Sequence, residues 1–589
     1  MMSADGRPGE DPRHRVTVAA QARPDRCWFG FGEPTEPVGP DGGCREGGTP
    51  QTTQQYIWAL TADDRQRSVW WGTVANTTAA GIATVTPDFV AAGMAPLNRP
   101  FHDPHNVTVE FEGSYNAVHE VPPNRGIVGD AVPAQVWQHD IETGETVERT
   151  PTREQFPGID DVVGLRAAGS LGDVVFIGGI ETALDQGAQA GGTVVLLAYR
   201  AGDARFLGWK RFPEWDNIKN FVVAEGRLYF GVGLAGPAGS ARAGTGSGPN
   251  PPTGAVQRWI GDARRPFRFE EVGRLGNQPA YFTVHDGRIV TGTWAGTGSQ
   301  EHAGVYVSPP LDRLSTSDSA KWTPVFTAAQ FFPDPITARS VVSFAVTSFD
   351  GWVYATFGIP SVEPSMTRHL AEYPQIPRHT VPHLALAYLK SSPAGVVYRI
   401  KDPGRPNQQV ELLYGERKYW VYDPDAGEEG SWTRQDNLLH QDPKFGGGGF
   451  DDRWNEYVGW GANVFRGKLY MGTFHTEKVL RDLTLNPRTG LLAKVLGHPV
   501  RPLELWLLRG IGLRDKRAAG QVWVFDDAGS PARPLTTTGF NNADNWGVRG
   551  ILPIGDECLF FGTNQGWQYP TEPRDDPPRR AGWQLLRMG

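Results

Sequence analysis

Cysteine is scarce in this sequence. Only Cys27, Cys44 and Cys558 occur among the 589 residues. So low a cysteine content is typical of a protein from a reducing compartment, where disulfides are rare. We therefore expect a cytoplasmic protein, and the sequence leaves open whether Cys27 and Cys44 are paired.

Long apolar runs are also missing. No stretch reaches the roughly 18 apolar residues that a transmembrane helix requires. The N-terminal residues lack the apolar segment of a signal peptide. The sequence therefore predicts that a membrane is not a partner.

Positive charge is not in excess. The 57 lysines and arginines stand against 65 aspartates and glutamates, which gives a formal net charge of -8. No basic cluster is interleaved with aromatic residues, so nucleic acid is not expected as a partner. The sequence also lacks a phosphate-binding loop, a dinucleotide-binding fingerprint and a Gly-x-Ser-x-Gly motif. We therefore predict no cofactor.

The sequence does contain a repeated strand pair. A strand of the form Gly-x-Leu-Tyr-x-Gly-Thr ends at Thr473, and an apolar strand and a tight turn precede it. Versions of this strand lie at 67–73, 172–178, 226–231, 287–293, 351–356, 467–473 and 557–563. Because a single hairpin is only marginally stable in water, seven copies indicate a repeat architecture.

A third strand follows each hairpin, and most copies continue into a more polar outer strand. The third strands lie at 134–138, 192–197, 254–259, 304–307, 395–399, 520–524 and 582–586. Four strands that become more polar outward are typical of a propeller blade. The sequence therefore predicts an all-β fold, a single seven-bladed β-propeller that spans residues 1–589.

The two ends of the chain predict how the ring closes. The seventh unit ends after its third strand, whereas residues 15–19 supply a spare strand near the N-terminus. Pairing between these two strands would close the ring and remove its exposed edges.

Long connections between second and third strands predict a functional face. Insertions at about 77–131, 360–392 and 476–518 carry apolar and aromatic residues, and loops of this length are often functional. We expect them to cover one mouth of the channel as lids. The composition of residues 235–252, rich in Gly, Ser and Pro, predicts disorder instead.

Polar and aromatic side chains near the starts of first strands and the ends of second strands are predicted to form one site. The predicted catalytic residues are Tyr457, His475, Arg166 and Asp451. The predicted binding residues are Tyr56, Lys219, Gln278, Arg339, Asn455, Asn545 and Arg549. Such groups in an aromatic funnel suit small-molecule binding or acid–base chemistry. The alternative is that Asp and Asn here cap turns and bridge blades.

The histidine pairs do not predict a metal centre. They occur as His102-x-x-His105, His369-x-x-Glu372 and His379-x-x-x-His383. Pro104 and Pro382 disfavour a helix in two of these segments, and three or four convergent ligands are not evident. We therefore predict no metal.

Two segments resemble an uncharacterised family of microbial propeller proteins. They are Gln55-Tyr56-Ile57-Trp58 with Trp71-Gly72-Thr73, and the run 164–176. This resemblance implies the propeller fold but no activity. The pattern Asn-x-Tyr followed by Gly-x-Leu-Tyr-x-Gly-Thr is also loosely similar to the propeller of the resorcinol-alkylating enzyme of cylindrocyclophane biosynthesis. That enzyme uses an arginine and a tyrosine near its channel mouth, and Arg166 and Tyr457 are available here.

The predicted mouth residues differ from blade to blade, which favours one asymmetric site. The leading hypothesis is an enzyme of specialised metabolism that acts on a small molecule under the lids. The alternatives are a non-catalytic propeller that binds a sugar or peptide, and an interaction scaffold. The sequence leaves the reaction, the substrate and the oligomeric state open.

Overall fold

Antiparallel β-sheet makes up most of the regular structure, as the repeated strands predict. The computed structural model of the protein describes residues 15–29, 36–75, 133–181, 193–235, 253–294, 301–318, 321–359, 365–377, 381–476, 519–565 and 581–589.

The N-terminal part of the chain contains four short strands: β1 (Val16–Gln21), β2 (Arg26–Trp28), β3 (Glu36–Pro37) and β4 (Thr49–Gln51). The last three form a small sheet in the order β3-β2-β4. A disulfide joins Cys27 in β2 to Cys44, whose Cα atoms are 5.6 Å apart, so the pair that the sequence left open is formed. Because disulfides are rare in cytosolic proteins, the cytoplasmic location stays a prediction.

From residue 54 onward, successive sets of antiparallel strands follow one another along the chain, and each set of four is called a unit here. The first unit is β5 (Gln54–Ala62), β6 (Ser68–Ala75), β7 (Val136–Asp140) and β8 (Thr146–Glu148). The next is β9 (Val162–Leu171), β10 (Val174–Glu181), β11 (Thr193–Arg200) and β12 (Phe206–Phe212). It is followed by β13 (Trp215–Ala224), β14 (Arg227–Leu234), β15 (Gly254–Trp259) and β16 (Phe269–Leu275).

The second half of the chain continues the series. One unit is β17 (Gln278–His285), β18 (Arg288–Trp294), β19 (Gly304–Pro310) and β20 (Thr323–Thr327). Another is β21 (Val342–Phe349), β22 (Trp352–Gly358), β23 (Val396–Lys401) and β24 (Gln409–Tyr414). A separate hairpin of β25 (Lys418–Asp423) and β26 (Ser431–Asp436) comes next, which the sequence did not predict.

The last strands form two further sets. One is β27 (Asn455–Phe465), β28 (Lys468–His475), β29 (Val522–Phe525) and β30 (Arg533–Thr536). The other is β31 (Asn545–Ile554), β32 (Cys558–Gln565) and β33 (Gln584–Met588). The N-terminal strand β1 pairs with β33 in antiparallel register, with Val16 opposite Met588 and Gln21 opposite Gln584.

Helices are few in the described part of the chain. They are α1 (Pro335–Ser340), α2 (Ser365–Glu372) and α3 (Val381–Ser391), with 3-10 turns at Ile159–Asp161, Thr316–Asp318 and Ala328–Gln330. The helices α2 and α3 lie in the predicted lid 360–392. The other two predicted lids and the segment 235–252 lie outside the described residues, apart from Ala235 and Thr476. None of the described helices is long and apolar enough to cross a membrane.

The hydrophobic core lies between the faces of neighbouring units. Successive side chains of a strand point to opposite faces, and the adjacent residues Trp70 and Trp71 of β6 show this directly. Trp70 is in one cluster with Val175 of β10, whereas Trp71 is in another with Phe560 of β32. One strand therefore contributes to the packing on both sides of its unit.

The repeated glycine explains how closely the units approach. A Cβ atom on Gly472 in β28 would overlap the carbonyl oxygen of Val548 in β31. A Cβ on Gly562 in β32 would meet Ile57 Cγ2 of β5 at 2.7 Å. The second strand of a unit thus packs against the first strand of the following unit, and β32 packs in the same way against β5.

The threonine that follows this glycine joins strands of the same unit, whereas the glycine lies between units. Thr473 Oγ1 accepts a hydrogen bond from the backbone N–H of Gln521 at 3.0 Å, and Thr563 Oγ1 accepts one from Gln584 at 3.0 Å. The hydroxyl group therefore attaches the third strand to the second where both strands are buried.

Replacing Gly472 with alanine should lower the free energy of unfolding by about 1–3 kcal/mol, because the added methyl group would force the β28 and β31 backbones apart. The control is Gly202→Ala in an exposed turn, where the new Cβ would lie 3.6 Å from Asp173 Oδ1. Urea unfolding of both variants measures the difference. Equal stability of the two variants would contradict this account of the repeat.

Candidate functional site

The first strands of several units run in the same direction. Single residue pairs link β6 to β9, β28 to β31 and β32 to β5, and all three pairings are antiparallel. Each of these second strands is also antiparallel to its own first strand. The strands β27, β31, β5 and β9 are therefore parallel, and equivalent positions on them lie at similar heights.

Side chains from these strands and from β6, β21 and β28, most of them aromatic, form one cluster. It contains Tyr56, Val74, Val342, Phe344, Tyr457, Trp460, Phe474 and Trp546. Tyr457, a predicted catalytic residue, stacks on Phe344 with 4.2 Å between ring centroids and is buried. Tyr56, a predicted binding residue, lies 5.3 Å from the Trp460 ring. The structure thus brings these two predicted residues together.

Three predicted cations lie against aromatic rings of this region. The guanidinium carbon of Arg166 lies 4.4 Å from the centroid of Trp58, and that of Arg549 lies 5.4 Å from the same ring. The ammonium nitrogen of Lys219, which is 1% exposed, lies 3.1 Å from the centroid of Trp294. Such cation–π contacts contribute about 2 kcal/mol or more when water is excluded.

The described residues offer these cations no carboxylate partner. Arg549 donates to the Tyr56 hydroxyl group at 3.3 Å and to the Arg166 carbonyl oxygen at 3.5 Å. The buried Nε of Arg166 has no hydrogen-bond partner within the described ranges. The charge of Arg549 acts on both Arg166 and Lys219, and that of Arg166 acts on Lys219; the acidic groups that act on Arg166 are the phenols of Tyr281 and Tyr56, not carboxylates. Within the described residues, no carboxylate therefore compensates the positive charge of this cluster.

The pKa values reflect this environment. Burial, and next the charge of Arg549, lowers the pKa of Arg166 to about 9, so its guanidinium is protonated at pH 7. Burial, and next the charges of Arg166 and Arg549, holds the pKa of Lys219 well below its ordinary value. Burial also raises the pKa of Tyr56 and of Tyr281 despite the nearby arginines. Both phenols are therefore neutral and supply no compensating charge.

A cavity of about 400 Å³ lies beside the cations. Residues from β5, β9, β13, β17, β21, β27 and β31 line it, which are the first strands of all the sets. Its wall includes Trp58, Tyr281, Phe344, Trp460 and Arg549. The predicted site residues lie near the starts of the first strands, whereas the cavity lies further along these strands. Of the predicted site residues, Arg549 lines the cavity.

A second polar group surrounds the start of β27. His475 Nε2 lies 3.1 Å from Asp452 Oδ2, which also accepts a hydrogen bond from Gln521 Nε2 at 2.9 Å. Burial raises the pKa of Asp452, but the hydrogen bond and charge of His475 outweigh it, and the net pKa is lowered. His475 is 1% exposed, and its Nδ1 has no partner among the described residues. Asp452 thus orients the ring and leaves one nitrogen for another group.

Glu456 lies beside this pair. Its carboxylate accepts hydrogen bonds from the Tyr388 hydroxyl group of α3 and from Thr476 Oγ1, the latter at 2.9 Å. Burial raises the pKa of Glu456 to about 7, although both hydroxyl groups and the charges of Arg453 and His475 act in the opposite direction. A carboxyl group that titrates near neutral pH can exchange protons with a ligand.

Two predicted binding residues make matching contacts in different units. Asn455 Nδ2 donates to the Gly449 carbonyl oxygen and to Gln521 Oε1, both at 2.9 Å. Asn545 Nδ2 donates to the Gly539 carbonyl oxygen at 2.8 Å and to Gln584 Oε1 at 3.1 Å. These side-chain amides join the start of the first strand to the third strand, so the fold itself uses them.

Of the remaining predicted residues, Gln278 pairs in register with Trp294, the residue that Lys219 contacts, whereas Asp451 and Arg339 make other contacts. Gln278 Oε1 accepts from Asn217 Nδ2 at 2.9 Å, whereas its Nε2 is buried and unpaired within the described residues. Asp451 is exposed and accepts from the Gly447 N–H at 2.6 Å in a turn. Arg339 in α1 lies 4.0 Å from Glu372 of α2. The geometry therefore places neither Asp451 nor Arg339 with the cationic cluster.

One histidine of the sequence pairs has a clear partner. His369 of α2 is buried, and its Nε2 lies 3.1 Å from Asp334 Oδ1, which also accepts from the Thr337 N–H at the start of α1. This contact joins α1 to α2. The described residues contain no group of three or more His, Cys, Asp or Glu placed to hold a metal ion.

Several residues of the cationic cluster and its cavity, and of the polar group around the start of β27, were not predicted as site residues. They are Trp58, Trp294, Tyr281, Glu456, Tyr388 and Gln521. The aromatic residues carry no local signal, because a strand tryptophan is usually core. Glu456 does lie between the predicted residues Asn455 and Tyr457, and that proximity was the available signal.

Comparison with known proteins does not assign a family. No family model matches the chain, and no curated protein matches it significantly. A prolyl endopeptidase structure has 8% identity and a TM-score of 0.37, covering 87% of this chain and 46% of the other. The acylaminoacyl peptidase of Pyrococcus horikoshii has 9% identity and a TM-score of 0.33, covering 90% of this chain and 50% of the other. The chain thus spans about half the length of these two proteins.

A further similar structure is the β-propeller domain of the Trilobed protease from Pyrococcus furiosus. It has 8% identity and a TM-score of 0.26, covering 65% of this chain and 84% of that domain. With identities and TM-scores this low, no activity is carried over to this chain. No comparison supports the similarity to the resorcinol-alkylating enzyme.

Substituting Glu456 with glutamine should change how stability depends on pH. The folded pKa of about 7 exceeds the ordinary 4.5, so the folded protein holds this proton to higher pH than the unfolded chain does. Stability of the wild type should therefore fall by on the order of 3 kcal/mol as the pH rises through this window. The glutamine variant should lack this contribution.

Urea unfolding of both proteins between pH 4.5 and pH 8 measures the difference between their free energies of unfolding. That difference should shift steadily with pH in favour of the variant. Parallel pH profiles for the two proteins would show that Glu456 ionises normally in the folded state.

Proposed function

We propose that the chain forms one closed seven-bladed β-propeller, with lids over one face. Three observations support this. Each first strand contacts the first strand of the next unit, and β31 contacts β5. The Gly562–Ile57 approach repeats between β32 and β5 the packing seen between other units. The strand β1 supplies a fourth strand to the set of β31, β32 and β33.

Deleting residues 582–589 removes β33, and with it the pairing partner of β1. We expect a large fall in melting temperature, because the ring would open and expose the faces of two blades. The control is Val18→Ala in β1, since Val18 is 42% exposed and contributes little burial. Equal melting temperatures for the deletion and the control would contradict ring closure.

We propose further that the central channel binds a small organic molecule at one asymmetric site. The observation that carries this is the cavity of about 400 Å³, which first strands of all the sets line. Its volume falls in the range of about 300–1,000 Å³ for small-molecule sites. The wall is mostly polar and includes the partly exposed ring of Trp58, and Arg166, whose pKa is shifted, lies against that ring.

A second candidate function is acid–base catalysis on the bound molecule. This is the kind of activity that the leading hypothesis from the sequence, a small-molecule enzyme, would need. The His475–Asp452 pair and Glu456 favour it, because they combine an oriented imidazole with a carboxyl group whose pKa is about 7. Conversion of a bound compound, lost in His475→Gln while binding persists, would support catalysis. Binding without conversion would leave a non-catalytic channel. A place in specialised metabolism stays a prediction.

A thermal-shift screen of small organic molecules tests the channel site. Compounds that raise the melting temperature of the wild type should bind the Trp58→Ala variant at least about tenfold more weakly, because Trp58 forms part of the cavity wall. The matched control is Trp352→Ala, a partly exposed tryptophan that Arg399 covers outside this cavity. If every stabilising compound binds both variants equally, the channel is not the site.

A further inference from the structure

We infer that the ligand of the channel is a small organic carboxylate with a flat ring body, whose charged end binds Arg166, Lys219 and Arg549. This inference rests on the proposed channel site and names its ligand class. It comes from three features: the charge of the cluster, its position relative to the cavity, and the aromatic surfaces beside it.

The positive charge of the cluster favours an anionic ligand. Removing a cation from water costs several kcal/mol unless a partner of opposite charge compensates, and here three cations share one region. No carboxylate of the described residues pairs with them, and the phenols of Tyr56 and Tyr281 are neutral. Elsewhere the same fold does pair its buried arginine, since Arg399 contacts both Glu411 and the Trp352 ring.

The position of the cluster places an anion at one end of the cavity. Arg549 and Trp58 line the cavity, and Arg166 stacks on Trp58. In β9 the lining begins at Ala168, two residues after Arg166, and in β13 it begins at Asn220, one residue after Lys219. Arg549 therefore lies in the cavity wall, Arg166 lies against the Trp58 ring that lines it, and Lys219 precedes the lining on the side of the strand starts.

The chemistry of the donors favours a carboxylate. A guanidinium group can donate two parallel hydrogen bonds to the two oxygens of a carboxylate. The unpartnered Nε of Arg166 is one such donor. The partly exposed ring of Trp58 then offers a surface on which a flat ring can pack, and Thr61 and Asn463 add polar groups to the wall.

The test compares 2-naphthoate with 2-naphthamide by isothermal titration calorimetry, because the two molecules differ in charge but hardly in shape. We expect naphthoate to bind the wild type at least tenfold more tightly. Arg166→Gln and Arg549→Gln should each weaken naphthoate binding tenfold or more and change naphthamide binding less than twofold. The control Arg434→Gln, which removes an exposed cation stacked on Trp420, should change neither.

A second measurement does not depend on ligand binding. Lys219→Met should raise the melting temperature of the ligand-free protein by roughly 1–2 °C, because it replaces a buried amine, whose charged form burial and the two arginines disfavour, with an apolar side chain. If the ammonium group served only to pack on Trp294, the same variant would melt at a lower temperature. A lower melting temperature would contradict the inference that these three side chains form an anion-binding site before the ligand binds.

The outcomes separate this inference from the proposed channel site. Equal binding of naphthoate and naphthamide, with both lost in Trp58→Ala, would leave the channel as the site and overturn the ligand class. Failure of naphthoate to bind the wild type would also overturn the ligand class, and the compound screen alone would then decide the channel site.

Discussion

The close approach of neighbouring units fixes the spacing of the first strands that line the cavity. At Gly231, Gly472 and Gly562 there is no room for a Cβ atom, because the first strand of another unit lies directly against the glycine. Contact with a backbone carbonyl at Gly231 and Gly472, and with the Ile57 side chain at Gly562, therefore sets the spacing, and side chains such as Trp70 and Trp71 fill the remaining space between faces. First strands held in this way place their side chains at defined heights with little freedom to rearrange.

That rigid wall carries a charge distribution that the described residues do not balance. Arg166, Lys219 and Arg549 gain cation–π contacts with Trp58 and Trp294, which offset part of the cost of burying them. The remainder of that cost is a free energy that an anionic ligand would recover on binding. Stability and function are thus opposed in this cluster, as they often are in binding sites that are formed before the ligand arrives.

The sequence predicts the repeated features well, because most units carry the same glycine at the close approach and several follow it with the same threonine. Repetition also makes it hard to separate residues that the fold needs from residues of a binding site. The sequence predicts Asn455 and Asn545 as binding residues, but both side chains join strands within their own units. The contact of Lys219 with the Trp294 ring and the hydrogen bond from Tyr388 to Glu456 join residues far apart in the chain. These two contacts depend on how the units pack and on where the helix α3 lies, and no local sequence pattern predicts either.

A crystal structure with 6-bromo-2-naphthoate tests the central claim most directly, because anomalous scattering from bromine locates the ring independently of the surrounding density. The account predicts a bromine peak inside the cavity beside Trp58, with the carboxylate within hydrogen-bond distance of Arg166 and Arg549. A carboxylate side chain of the protein itself in contact with Arg166, Lys219 and Arg549 would contradict it, since the cluster would then already hold its counter-charge.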